Sequence, residues 1–216
     1  HVEEASHGGR YTQGWPVRQG SRVVAALALA AGLGGTMATA QTDRAEHKGY
    51  ELPPYRAAQS EGRFDVRHYR PHTVAEVTVA GDRSTAINRG FRVLAGYIFG
   101  GNETQQKVAM TVPVAQSGGG DLWTVRFMMP SRYGLGTLPA PKDGRIRFIE
   151  VPAERQVVLR FSGFPGEARL AGQVAALRSW AEAKGLRLTE GPHYYFYDAP
   201  MTLPWNRRNE VAFTIE

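Results

Sequence analysis

The chain has 216 residues, of which 42% are hydrophobic and 21% charged, and its formal net charge is +6. This is the length of one ordinary domain, and the composition fits neither a disordered tail nor a membrane bundle. The chain has no cysteine, which excludes disulfide scaffolds, zinc ribbons, iron–sulfur clusters, thiolate nucleophiles and lipid attachment at Cys. Arg and Lys are scattered singly among apolar residues, Arg207-Arg208 being the one close pair in the part expected to fold. The basic stripe required of a nucleic-acid surface is therefore missing.

Residues 1–22 are polar, with Arg10, Arg18 and Arg22. An apolar run rich in Ala and Gly follows over 23–37, then the small-residue triplet Ala38-Thr39-Ala40. A basic start, a short apolar run and a small-residue exit match a secretory signal peptide. The expectation is export, periplasmic or secreted, with cleavage near Ala40. The alternative is a membrane anchor over 23–40, although the run is short of the ~20 residues a spanning helix needs. Residues 41–54 read as a polar linker ending at Pro53-Pro54.

From there the chain reads as one unit written twice. Phe64, Val66 and His68 share one face of a strand over 63–69, and 74–80 alternates again. A helix is predicted from Ser84 to Phe99, with Ile87, Phe91, Leu94 and Ile98 as its apolar stripe, Asn88, Arg89 and Arg92 opposite, and Gly100-Gly101 as its stop. Strands over 107–115 and 122–129, joined by Gln-Ser-Gly-Gly-Gly, complete the first unit. The second repeats the order: strands over 145–151 and 156–162, then a helix over 167–184 with Leu170, Val174, Leu177 and Ala181 in its stripe. Closing strands are expected over 193–198 and 210–215.

The expected fold is α+β: duplicated β-β-α-β-β units forming a distorted antiparallel β-barrel, with two helices packed on it.

Catalytic constellations are nearly absent. The chain contains no nucleophile elbow, zinc-protease helix, P-loop or dinucleotide fingerprint, so an enzyme is not expected. Glu210, at the mouth of the last strand beside Arg207-Arg208, reads as a structural carboxylate paired with an arginine, or alternatively as an acid facing a ligand cavity. His68 sits on an apolar strand face with Arg67 and Arg70 close in sequence. An imidazole beside apolar surface and guanidinium groups suits an iron porphyrin with its propionates. An exposed or hydrogen-bonded histidine is the plainer alternative. Met110, Met128, Met129 and Met201 are read mainly as core fillers. Alternation allows only one of Met128 and Met129 to face inward.

Five segments carry a resemblance. Phe64-Asp-Val-Arg-His-Tyr-Arg-Pro71, Phe91-Arg-Val-Leu-Ala-Gly-Tyr-Ile-Phe-Gly-Gly101, Lys107-Val-Ala-Met-Thr-Val-Pro-Val114, Phe127-Met-Met-Pro-Ser-Arg-Tyr133 and Arg207-Arg-Asn-Glu-Val211 resemble the SOUL haem-binding protein family. The resemblance runs from about Tyr50 to Glu216. It implies two similar halves, each a helix on an antiparallel sheet, and non-catalytic binding of haem or another tetrapyrrole. One branch of the family is described as using the histidine of the Val-Arg-His-Tyr motif as axial ligand, a place held here by His68. Another binds the porphyrin on an apolar cleft along the first helix. The expected site is thus His68 as haem-iron ligand, Phe91, Leu94 and Ala95 as an apolar wall, and Arg67 or Arg92 toward the propionates. The expected role is a carrier or buffer of haem outside the cytoplasm. The competing expectation is a module of the same fold for another amphipathic small molecule or for a protein partner.

Overall fold

The computed structural model describes residues 45–216. The expected signal or anchor over 1–40 lies outside them. Among the described residues no helix is long and apolar enough to cross a membrane. Residues 45–54 of the expected linker belong to the folded body. Strands β1 (Glu46–His47) and β2 (Tyr50–Glu51) form a small hairpin. Leu52 is buried against Val112 and Tyr197.

The main sheet has nine strands: β3 (Tyr55–Glu61), β4 (Phe64–Tyr69), β5 (His72–Ala80), β6 (Val114–Gly119), β7 (Leu122–Met128), β8 (Arg147–Val151), β9 (Glu154–Phe161), β10 (Leu188–Phe196) and β11 (Asn209–Ile215). Their order is β3-β4-β9-β11-β10-β6-β7-β5-β8, with every pairing antiparallel. The sheet curls into a half-barrel whose edges, β3 and β8, each have one neighbour. The runs β9-β11-β10 and β6-β7-β5 mirror each other across the β10–β6 pairing. That is a correspondence of topology and not in itself a duplication.

Helix α1 (Arg83–Ile98) starts where the Asp82 carboxylate accepts the Thr85 N–H at 3.0 Å and stops before Gly100, whose φ of +108° favours glycine. Leu94 and Ile98 are buried with Val77, Val125 and Phe127 of β5 and β7, and Ile87 and Phe91 pack on the same cluster. Gly90 lets the helix approach closely, since a Cβ there would sit 2.6 Å from Val125 Cγ2. Helix α2 (Glu167–Ala183) buries Leu170, Leu177 and Ala181 against Val157, Leu159, Val211 and Phe213 of β9 and β11. Each helix therefore covers its own half of one face of the sheet.

Two expectations are corrected. The predicted strand over 107–115 is displaced: 107–113 is irregular, and β6 begins at Val114 and runs into the glycines expected to be a loop. Pro113 has no N–H to give a ladder. Gly118 tolerates a backbone approach that a Cβ would block, at 2.4 Å from the Leu122 carbonyl oxygen, so the two-residue turn falls at Gly120-Asp121. The methionine alternation also ends early. Met128 and Met129 are both buried, because Met129 lies past the end of β7, with its N–H donated to the Thr73 carbonyl.

Candidate functional site

A groove of about 460 Å³ lies beside α1. Thr78, Val79 and Ala80 of β5, Arg89, Arg92 and Val93 of α1, and Arg145 from the loop before β8 line it. Arg89, Arg92 and Val93 share one helix face by their i, i+3 and i+4 spacing. Arg145 is held by Asp143, whose carboxyl the Arg145 hydrogen bonds lower to about 2. Arg89 and Arg92 are exposed and have no carboxylate partner among the described residues. The groove thus joins an apolar wall to two uncompensated guanidinium groups. Its volume lies in the usual ligand range of ~300–1,000 Å³.

The expected wall is only partly the observed one. Arg92 lines the groove. Leu94 is turned away from it into the core under α1, because its stripe position faces the sheet. Phe91 packs edge-on to Phe127 at 5.4 Å, and Ala95 is half-buried; neither lines the groove. Val93 and the β5 residues were not anticipated. Arg89 had a signal in its spacing from Arg92, whereas Arg145 had none, being brought in from a distant loop.

His68 is placed elsewhere. It is half-buried on β4, on the face carrying Phe64 and Val66 under α2, and makes no side-chain hydrogen bond among the described residues. Arg56 and Arg155 are its cross-strand neighbours. Four strands separate β4 from β7, on which α1 packs, roughly 24 Å along the sheet. The structure therefore does not bring His68 together with Arg92 and the α1 groove. No histidine or methionine is among the groove's lining residues.

Arg67 points to the opposite face, as alternation with Val66 requires, and is not free to meet a propionate. It is 1% exposed, and its Nη1 and Nη2 donate to the two Glu210 carboxylate oxygens at 2.7 and 3.0 Å. Its Nε and Nη2 also donate to Asp65 at 3.1 and 2.6 Å, and the guanidinium lies 4.5 Å from the Tyr55 ring centre. Arg208 donates to Glu210 from Nε and Nη2, and the Tyr197 hydroxyl adds a 2.7 Å bond. Glu210 is fully buried, so of its two readings the structural carboxylate holds. Burial opposes its ionisation, but the Arg67 hydrogen bonds and the charges of Arg67 and Arg208 outweigh this and hold it below the usual carboxylate range.

Burial likewise opposes ionisation of Asp65 and Asp198, and Arg67 in one case and the Arg208 N–H in the other overcome it. For all three acids the folded pKa lies under the unfolded one. Their stabilisation is thus complete above the unfolded carboxyl range of about 4 and is lost as pH falls through the folded values. Thermal melts between pH 7 and 2 are expected to decline gently below about pH 6.5, where His72 and His193, held neutral by burial, must charge, and then to drop steeply below about pH 4. A flat profile to pH 2 would remove these ionised acids from the stability of the fold.

A curled antiparallel half-barrel with two helices on one face and a basic, partly apolar groove beside the first defines the structural class: an α+β half-barrel module. The chain matches the SOUL heme-binding protein family model over residues 50–214 and belongs to that family. It is 32% identical to heme-binding protein 2 of Homo sapiens over 187 residues, covering 82% of this chain and 89% of that protein. It is 34% identical to heme-binding protein 1 of Bos taurus over 136 residues, covering 58% and 69%. Among solved structures, the EcmrR C-terminal domain aligns with a TM-score of 0.55 at 17% identity, over 75% of this chain and 98% of that one. A structure described as a hydrolase from Listeria innocua aligns at 0.52 with 13% identity, over 74% and 94%. At these identities the two structural likenesses concern the fold alone.

Proposed function

We propose that this protein is a non-catalytic haem or tetrapyrrole binder whose ligand lies in the groove beside α1. The carrying observation is the pairing of Val79, Ala80 and Val93 with the guanidinium groups of Arg89 and Arg92, which have no carboxylate partner among the described residues, the Arg92 Nε donating to the neutral Asn88 carbonyl at 3.3 Å. Haem presents an apolar ring and two carboxylates, and these residues fit both. They offer the iron no ligand, so affinity comes from ring burial and carboxylate pairing. Membership of the SOUL family supports the ligand class. The lining residues include no carboxylate or imidazole to serve as general base, which favours carriage over chemistry. The signal-like sequence of residues 1–40 supports export, and with it carriage or buffering outside the cytoplasm, against a retained anchor over 23–40; comparing cell fractions with N-terminal sequencing of the recovered protein tests it.

Titration with ferric haem is expected to shift the Soret band at one-to-one stoichiometry, and metal-free protoporphyrin to bind within about threefold of the same affinity. His68→Ala is expected to leave both unchanged. A much weaker protoporphyrin, together with loss of the haem spectrum in His68→Ala, would replace this groove with an iron site on β4.

A further inference from the structure

A second cleft, of about 590 Å³, lies on the other half of the molecule. It is lined by His47, Arg63, Arg160, Phe161, Ser162, Arg169, Arg207 and Arg208, five guanidinium groups and no carboxylate. Among the described residues, only Arg208 of the five forms an ion pair, and its partner Glu210 is shared with Arg67. The nearby acids are already engaged. Asp65 holds Arg67, and Asp198 accepts from Lys48, His47 and the Arg208 N–H.

The arginines are held in place by neutral groups. Arg63 donates to the Gln173 amide oxygen at 3.1 Å. Arg207 donates to the carbonyls of Thr202 and Pro200 and lies 4.7 Å from the Phe164 ring centre. Arg169 rests on Gly163, where a Cβ would come within 3.1 Å of its Cζ, at a φ of +96° that itself favours glycine. These contacts orient the cations without neutralising them. Arg208 is paired with Glu210, and Arg160 lies opposite Glu210 in the ladder and acts on the Asp65 charge, so the excess positive charge falls on Arg63, Arg169 and Arg207. Like charges around one cleft repel each other unless an anion joins them, and guanidinium forks match phosphate and carboxylate oxygens in pairs.

We infer that this cleft is a binding site for a compact polyanion, a small molecule carrying two or more adjacent phosphate or carboxylate groups. It is distinct from the α1 groove, and its lining residues are all different. The test uses the full chain at fixed ionic strength. Pyrophosphate and citrate are titrated separately, with sodium chloride and sulfate as controls, by calorimetry and by thermal shift. Pyrophosphate is expected to bind at one-to-one stoichiometry and raise the melting temperature, and the citrate arm decides between phosphate and carboxylate selectivity. Arg160→Gln/Arg169→Gln is expected to weaken that binding at least tenfold while leaving the Soret titration with haem unchanged. Backbone amide shifts at Phe161, Ser162 and Gly163 in the unmodified protein give a second readout should the variant fold poorly. No binding of pyrophosphate or citrate beyond the chloride control, or equal binding by the double variant, overturns the inference. Loss of haem binding with the cleft intact would instead count against the groove.

Discussion

Glu210→Leu is expected to lower stability by about 3–5 kcal/mol, because it removes the carboxylate that accepts from both Nη groups of the buried Arg67 and from Arg208, leaving Asp65 as the one carboxylate bonded to Arg67 among the described residues, on the face away from the helices. At this chain length that is a fall of roughly 6–20 °C in melting temperature. The loss comes from breaking the pair rather than from the worth of the pair itself. Desolvating two charges costs nearly as much as their attraction returns, so replacing both partners with apolar groups of similar size is often neutral. Arg67→Met/Glu210→Leu is therefore expected to recover most of the loss. Asp65 and Arg208 moderate the recovery, since each also hydrogen bonds within the cluster. Thermal melts of the three variants decide it. A single variant melting within about 2 °C of the parent would show that Asp65 and water are enough to compensate Arg67 when Glu210 is lost.

The second large effect is on binding. Arg89→Glu/Arg92→Glu is expected to weaken both haem and protoporphyrin by ~30-fold or more. Each lost carboxylate contact at an exposed groove is worth about 1 kcal/mol, and the reversed charges add repulsion. Because neither arginine has a carboxylate partner among the described residues, the melting temperature is expected to move little. Protoporphyrin dimethyl ester, which lacks the two carboxylates, separates charge from shape. It is expected to bind parent and variant alike, and the free acid is expected to weaken as salt screens the pairing. Unchanged affinity of the free acid for the double variant would move the ligand out of this groove.

The parts of the fold that were legible in the sequence are those whose signal is local. Both helices follow from stripes repeating every three to four residues and from their glycine stops, and β4, β5 and β7 follow from alternation. Strand β3 carried no such signal. It is an edge strand, largely solvent-exposed, and its polar residues do not alternate. The start of β6 was hidden because Pro113 and the glycines imitate loop chemistry. Val114 to Ser117 pair with both β7 and β10, and Gly118 and Gly119 join the strand through β7.

The site divides in the same way. Alternation alone separates Arg67 from His68, although their nearness in sequence suggests one ligand set. Nothing local tells Arg67 that Glu210, 143 residues away, will take both its Nη groups. Placement of Arg145 beside Arg92, and of Arg63 beside Arg169, likewise depends on loops and strands that meet only when the sheet curls.

By itself, then, the order of residues determined the two amphipathic helices, the antiparallel α+β plan and the family to which the chain belongs. All three depend on patterns contained within a few turns or strands of chain. Only the tertiary structure decided which arginines are spent on buried acids and which stand free around a cleft. The charge a side chain presents depends on partners brought together across the whole sheet, and sequence spacing carries no record of them.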